Sequence, residues 1–185
     1  MKNPKLASRF AKALYDFATE TNNIEVVYQD ILLVKKVIAE NQELKIAMES
    51  PIIPEDKKQK IFRKIFTGNL SETSFKFFTL IIKKRREPQL LMICTHFIKL
   101  YYVTHNIKEA YITSAQPLSE EMKSYLKNYI EKDSPYTFIL HFAVDQNLIG
   151  GIIVKVDDLY FDASIQTKIN KLKTEFSKNA YVVGF

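Results

Sequence analysis

The sequence predicts an α+β protein: a six-helix bundle over residues 1–106, followed by a small α/β domain over residues 107–185 in the order β-α-β-β-β-α. Three observations carry this. Up to about Thr104 every apolar pattern recurs at helical spacing. After Asn106 the apolar residues fall in short runs rich in β-branched and aromatic side chains. Within one of those runs stand Gly150 and Gly151. Glycine in a strand gives up roughly 0.5–1 kcal/mol, so the pair marks a bulge or a close approach to the backbone.

The first helix carries Leu6, Phe10, Leu14 and Phe17 on one face, with Ala7, Ala11, Ala13 and Ala18 over much of the rest. Its apolar surface wraps past the stripe one core needs, which predicts two partners. The second places Ile24, Val27, Tyr28, Ile31, Val34 and Ile38 on a single face, and a short third holds Leu44, Ala47 and Met48. Ser50-Pro51-Ile52-Ile53-Pro54 then breaks the chain. Pro54 suits the first turn of a fourth helix with Ile61, Phe62, Ile65 and Phe66 inward, and Gly68 suits a left-handed stop after it. In the fifth helix Phe75, Phe77, Phe78, Leu80, Ile81 and Ile82 leave almost no polar side. Such a helix is central in its bundle or offers a surface to another protein. Lys83 to Arg86 close it where positive charge favours the dipole, and Pro88 opens a sixth helix aligning Leu90, Cys94, Phe97 and Tyr101.

In the second half Ile107 to Ala115 reads as a strand. Ser119 caps a helix bearing Met122, Tyr125, Leu126, Tyr129 and Ile130, which Ser134-Pro135 ends. Tyr136 to Val144 is a second strand. Ile152 to Val156 and Leu159 to Phe161 form a hairpin across Asp157-Asp158. Asp162 and Ser164 offer side-chain oxygens to a last helix, whose apolar positions are Ile165, Ile169, Leu172 and Phe176. The expectation is a small sheet covered by helices.

Little in this chain speaks for chemistry. Its 185 residues carry a net charge of +6, but the lysines alternate with acids as on a solvated face. Cys94 is the single cysteine, which excludes an internal disulfide and fits a reducing compartment. The start, MKNPKLASRF, has no apolar signal core, and no window nears the ~18 to 20 apolar residues of a membrane span. A soluble or peripheral protein is expected. Glycine occurs only at positions 68, 150, 151 and 184, so no Walker A or dinucleotide loop can form. Cys94 and His96 lie two apart on different helix faces, and His141 falls in a strand. Asp157, Asp158 and Asp162 lack a calcium-loop pattern and read as a turn and a cap. No cofactor, metal site or nucleophile-base pair is predicted. A binding module is, with a partner helix lying between the first and fifth helices. The rival is an RNA-binding adaptor, favoured by net charge and by Tyr125, Tyr129, Tyr136 and Phe138 as stacking groups, though it lacks a GXXG clamp. A hydrolase is disfavoured because no nucleophile with a base is visible.

Four segments carry a resemblance: Ala7 to Leu14 (ASRFAKAL), Ser50 to Pro54 before Lys57, Leu80 to Arg85 (LIIKKR), and Leu148 to Gly151 with Asp162-Ala163-Ser164. In this order they resemble the delta subunit of bacterial F-type ATP synthase, the counterpart of the mitochondrial oligomycin-sensitivity-conferring protein, from Ala7 to about Phe176. The resemblance implies a non-catalytic stator subunit joining the catalytic head to the peripheral stalk, so that proton-driven rotation is coupled to ATP synthesis. It implies that the N-terminal domain holds a helix from the N-terminus of an alpha subunit, and that the C-terminal domain meets b-type stalk subunits. It also implies peripheral placement at the cytoplasmic face of the cell membrane, through the complex alone, with no nucleic acid partner. By position, the implied groove residues are Phe10, Ala13, Leu14 and Phe17 with Phe75, Phe78, Thr79 and Ile82, while Gly150, Gly151, Asp162 and Ser164 are structural. The chain departs from the family pattern at Phe10 (usually tyrosine), Asp157 and Ala163 (often glycine) and Ile169 (usually leucine). Loss of the turn glycine leaves room for a wider loop at Asp157-Asp158.

Overall fold

A computed structural model describes residues 4–132 and 134–179. The chain divides into two compact units, Met1–Thr104 and His105–Phe185.

The first unit consists of α1 (Pro4–Glu20), α2 (Ile24–Glu40), α3 (Gln42–Glu49), α4 (Glu55–Phe66), α5 (Glu72–Lys83) and α6 (Leu90–Thr104). Local chemistry sets their ends. Asn22 takes φ +54° after α1, where asparagine tolerates the left-handed region. Its amide and that of Asn23 donate to Thr19 and Ala18 at 3.1 and 2.9 Å. Gly68, φ +83°, follows the C-cap of α4. Arg85 holds the same conformation after α5, with Arg86 N donating to the Ile81 carbonyl at 3.0 Å. Ser71 caps the other end of α5, and its amide and hydroxyl both donate to the buried Asp30 carboxylate, at 3.0 and 2.5 Å.

The central helix of this unit is α6. It packs on both α1 and α2, burying Leu90, Ile93, Cys94, Phe97, Ile98 and Tyr101. The Tyr28 and Tyr101 rings stack at 3.9 Å, and Tyr15 meets Phe97 at 5.7 Å. By contrast, α5 packs on α4 and α2 and exposes a polar edge of Glu72, Lys76 and Lys83. Two of its expected groove residues are core residues instead. Phe78 and Ile82 are 0% exposed, with Phe62 5.6 Å from the Phe78 ring. The reason is helical phase: Ser74, Phe78, Ile81 and Ile82 form the buried stripe, and any outward surface lies about 100° away. Phe75, partly buried 6.0 Å from the Phe62 ring, and Thr79, also partly buried, flank that stripe.

A buried ion pair links α4 to the turn that precedes α6. Lys58, on α4, donates to the Met48 carbonyl at 2.8 Å and pairs with Glu87 in the 3-10 turn Glu87–Gln89. Both side chains are buried.

The second unit consists of β1 (Ile107–Ser114), α7 (Glu120–Glu131), β2 (Thr137–Val144), β3 (Ile152–Val156), β4 (Leu159–Asp162) and α8 (Ile165–Asn179). Its mixed sheet has the order β2-β1-β3-β4. β1 runs parallel to β2 from Ile107↔Thr137 to Ser114↔Val144, which requires the α7 crossover between them. β3 is antiparallel to β1, pairing Ala110 with Val156, and β4 is antiparallel to β3. Central β1 is buried at Ala110, Ile112 and Ser114. Val156 pairs with Leu159, so the hairpin keeps a two-residue turn without glycine. Asp157 accepts φ +51° there, and its carboxylate pairs with Lys108 at 3.0 Å. The helical cover is less than expected. α7 packs on β2, but the apolar residues of α8 are exposed: Ile165 by 42%, Ile169 by 36%, Leu172 by 52% and Phe176 by 72%.

Candidate functional site

In α1 the small residues Ala7, Ala11 and Ala18 alternate with Leu14 in the buried stripe, letting α6 approach closely. Phe10, Ala13 and Phe17 stand on the adjoining face, where no helix of the unit covers them completely. Across from them α5 presents Thr73, Lys76, Phe77 and Leu80. Together they bound an open apolar groove of about 500 Å³, with Leu14 at its base and Glu72 at one end. Phe17 and Leu80 are 51% and 45% exposed. The polar rim is the Glu72–Lys76 ion pair at 2.5 Å. A hydrogen bond from Lys76, and then its charge, holds the Glu72 carboxyl below the usual range.

All four α1 residues named from the sequence line this groove; none of the four from α5 does. The sequence alone hides the α5 face because Thr73, Lys76, Phe77 and Leu80 mix polar with apolar, whereas the purely apolar residues belong to the core. What fixes the rotation of the helix is a tertiary contact: Ser71, which caps α5, also binds Asp30.

A second apolar groove, of about 570 Å³, lies on the sheet of the other unit. Phe138, Val154, Val156 and Phe161 form its floor, with Lys108 and Tyr136 at the edge. Its outer strand, β4, is exposed at Leu159, Tyr160 and Phe161.

The paired glycines show what approaches them. Gly151 has φ +84°, and a β-carbon there would stand 2.9 Å from Ser164 Cα and inside contact with the Ala163 carbonyl. At Gly150 the neighbour is the Ile165 side chain, 2.6 Å from such an atom. Ile165 N donates to the Gly150 carbonyl at 2.9 Å, which joins the glycine loop to the start of α8. Asp162 and Ser164 organise that start. The Asp162 carboxylate accepts from Ser164 N and the Thr167 hydroxyl, both at 2.8 Å, and Ser164 Oγ accepts from Thr167 N at 3.2 Å.

Those hydrogen bonds from Ser164, and then from Thr167, hold the Asp162 carboxyl below its ordinary 3.8. A lowered folded-state value contributes stability that is complete above pH 3.8 and is lost as the pH falls through that folded-state value. Asp162→Asn is therefore expected to lower the melting temperature at pH 7. The gap from the parent should close below the ordinary carboxylate value, a trend that melting curves at stepped pH would check.

The remaining reactive groups are scattered. Burial pushes the Cys94 thiol up to about 12, which leaves no thiolate at neutral pH. His141 stacks on Tyr111 at 4.8 Å and lies 3.2 Å from Glu109 on the sheet. Phe138, one of the four aromatics considered for base stacking, is 7% exposed, on the floor of the sheet's groove. Among the described residues no three His, Cys, Asp or Glu side chains converge as metal ligands. No described helix is long and apolar enough to cross a membrane.

Comparison with known proteins gives one answer along the whole chain. The family model "ATP synthase delta (OSCP) subunit" matches residues 6–176. The ATP synthase subunit delta of Lachnoclostridium phytofermentans is 32% identical over 181 residues, covering 97% of each chain. That of Desulforudis audaxviator is 33% identical over 168 residues, covering 91% of this chain and 92% of the relative. That of Cytophaga hutchinsonii is 29% identical over 178 residues, covering 96% and 97%. A chain in the cryo-EM structure of the Toxoplasma gondii mitochondrial ATP synthase hexamer shares the fold, with TM-score 0.68 at 19% identity over 92% of this chain and 97% of that one. With an α+β fold of this kind and a family match from the first helix to the last, the chain belongs to the ATP synthase delta (OSCP) subunit family.

Proposed function

We propose that the chain is the joint of a rotary ATP synthase stator, with each unit holding one side. The helical unit, residues 1–106 in the sequence reading, takes an amphipathic helix from the N-terminus of an alpha subunit. The α/β unit meets the b-type peripheral stalk. The subunit itself makes and breaks no bond. Rotation of the central stalk yields work only while the head is kept from turning with it, so the joint acts by resisting torque through its contacts. Its place at the cytoplasmic face of the membrane follows from the complex.

The observation that carries the helical half of this reading is the α1–α5 groove. Its walls are two helices and its lining is mostly aromatic and aliphatic, with Phe10, Phe17, Phe77 and Leu80 among the residues that bound it; a groove of this kind takes a partner helix through apolar anchors at i, i+3, i+4 and i+7. Each apolar anchor that leaves water contributes about 1.5–3 kcal/mol. Ala13 matters because its small side chain leaves room for the incoming backbone.

The test is calorimetric titration of the full chain with a synthetic peptide spanning the alpha subunit's N-terminus. The parent should bind one peptide. Ala13→Phe, which fills the groove from an exposed position, should weaken binding at least about 100-fold, equal to roughly 2.7 kcal/mol. Its melting temperature should not change. Parent-like affinity in Ala13→Phe would remove the groove from the reading.

A further inference from the structure

One wall of the groove, α5, has a rotation that its apolar residues do not determine. Phe75, Phe77, Phe78, Leu80, Ile81 and Ile82 cover more than half its circumference, and apolar contact has no preferred direction, so burial alone does not select the face turned inward. Directional contacts hold the helix at both ends. At its start the amide and hydroxyl of Ser71 donate to Asp30 of α2, at 3.0 and 2.5 Å. At its far end the chain leaves through a tight turn, in which Arg85 N and Arg86 N donate to the Ile82 and Ile81 carbonyls at 2.8 and 3.0 Å. Glu87 follows directly, so a contact that fixes its carboxylate also fixes the last turn of α5. Lys58 of α4 makes that contact, and its ammonium also donates to the Met48 carbonyl near the end of α3, at 2.8 Å.

A pair of this kind contributes little net stability. Lys58 and Glu87 are 2% and 8% exposed, and the cost of taking two charges out of water offsets most of their attraction. Glu87 Oε2 and Gln89 Oε1, both buried, accept no hydrogen bond from the described residues, which adds to that cost. Nor does the pair touch the groove. Lys58 and Glu87 line a separate cleft with Glu49, Pro51 and Arg85.

We propose that Lys58 and Glu87 are positioning residues for the partner helix: their ion pair sets the rotation of α5, and so keeps Thr73, Phe77 and Leu80 turned toward α1. This rests on the reading that the α1–α5 groove takes that helix. Without the pair α5 samples other rotations, and the apparent affinity falls by the fraction of time the groove is formed.

The experiment replaces the pair in the full chain by apolar side chains of similar volume, Lys58→Met with Glu87→Met. The melting temperature, followed by far-ultraviolet circular dichroism, should stay within about 10 °C of the parent. Affinity for the synthetic peptide spanning the alpha subunit's N-terminus, measured by calorimetric titration, should fall at least about tenfold. In the unbound variant the amide NMR signals of Thr73, Phe77 and Leu80 should shift, although none of the three lines the cleft around Lys58. Affinity within about threefold of the parent would overturn the proposal and leave the groove reading intact. A larger fall in melting temperature would also overturn it, because the pair would then hold up the fold instead of aiming one helix. If the parent itself does not bind the peptide, the groove reading fails and this proposal falls with it.

Discussion

Phe78→Asp is expected to unfold the helical unit. The ring is 0% exposed, 5.6 Å from the rings of both Phe62 and Phe77. Truncating a buried phenylalanine to alanine alone costs about 3–5 kcal/mol. Aspartate adds a carboxylate with no cation or donor to meet it, which costs several kcal/mol more or forces it to stay protonated. Domains of this size are stable by about 5–15 kcal/mol, so the substitution consumes most or all of that margin. Far-ultraviolet circular dichroism should show helix loss at 25 °C, or a transition lowered by tens of degrees. Leu80→Asp is the matched contrast. It sits two residues on, 45% exposed on the groove side, and should leave the melting curve within about 0.5 kcal/mol while abolishing peptide binding. A folded Phe78→Asp protein that fails to bind would return Phe78 to the groove and rotate α5 by about 100° from its place here.

The same rotation explains how far the sequence could be read. Element types were legible almost throughout, because the change from helical spacing to β-rich runs after Asn106 is a property of local pattern. The α1 side of the groove was legible too, since Phe10, Ala13 and Phe17 are apolar residues in excess of what one buried stripe requires. On α5 that argument fails. Phe75, Phe77, Phe78, Leu80, Ile81 and Ile82 cover more than half the circumference, and apolar content cannot say which side is core. The decision is made by tertiary contacts: Ser71 bound to Asp30, and Phe62 set against Phe78. Lys58 was hidden for a related reason. In sequence it belongs to the charged run Glu55 to Lys60, and only the fold brings Glu87 and the Met48 carbonyl to it. The exposure of α8 could not be read from periodicity either. A seam at Ile165, Ile169, Leu172 and Phe176 looks the same whether its partner is this sheet or another protein.

The glycine pair was read from sequence as a close approach, and its two members should respond very differently to substitution. Gly151→Val meets three penalties. At φ +84° any residue with a β-carbon bears roughly 1–2 kcal/mol of strain, and a β-branched one bears more. The new side chain would also strike backbone, at the Ala163 carbonyl and at Ser164 Cα. Backbone cannot swing aside as a side chain can, and relieving the clash displaces the Ser164 and Asp162 cap of α8, with overpacking worth about 1–3 kcal/mol more. A total of about 3–5 kcal/mol is expected. Gly150→Ala meets one obstacle, the tip of Ile165, which is 42% exposed and free to change rotamer. Its cost should stay near 1 kcal/mol or below. Amide hydrogen exchange resolves the comparison, because it reads β1 to β4 and α8 separately from the helical unit. In Gly151→Val, protection should be lost across Ile152–Asp162 and the first turn of α8, while α1 to α6 exchange as in the parent. In Gly150→Ala, protection should be nearly unchanged in both units. Equal losses in the two variants would mean that the glycines serve only to loosen the loop, and that the backbone of Ala163 and Ser164 does not press on Gly151.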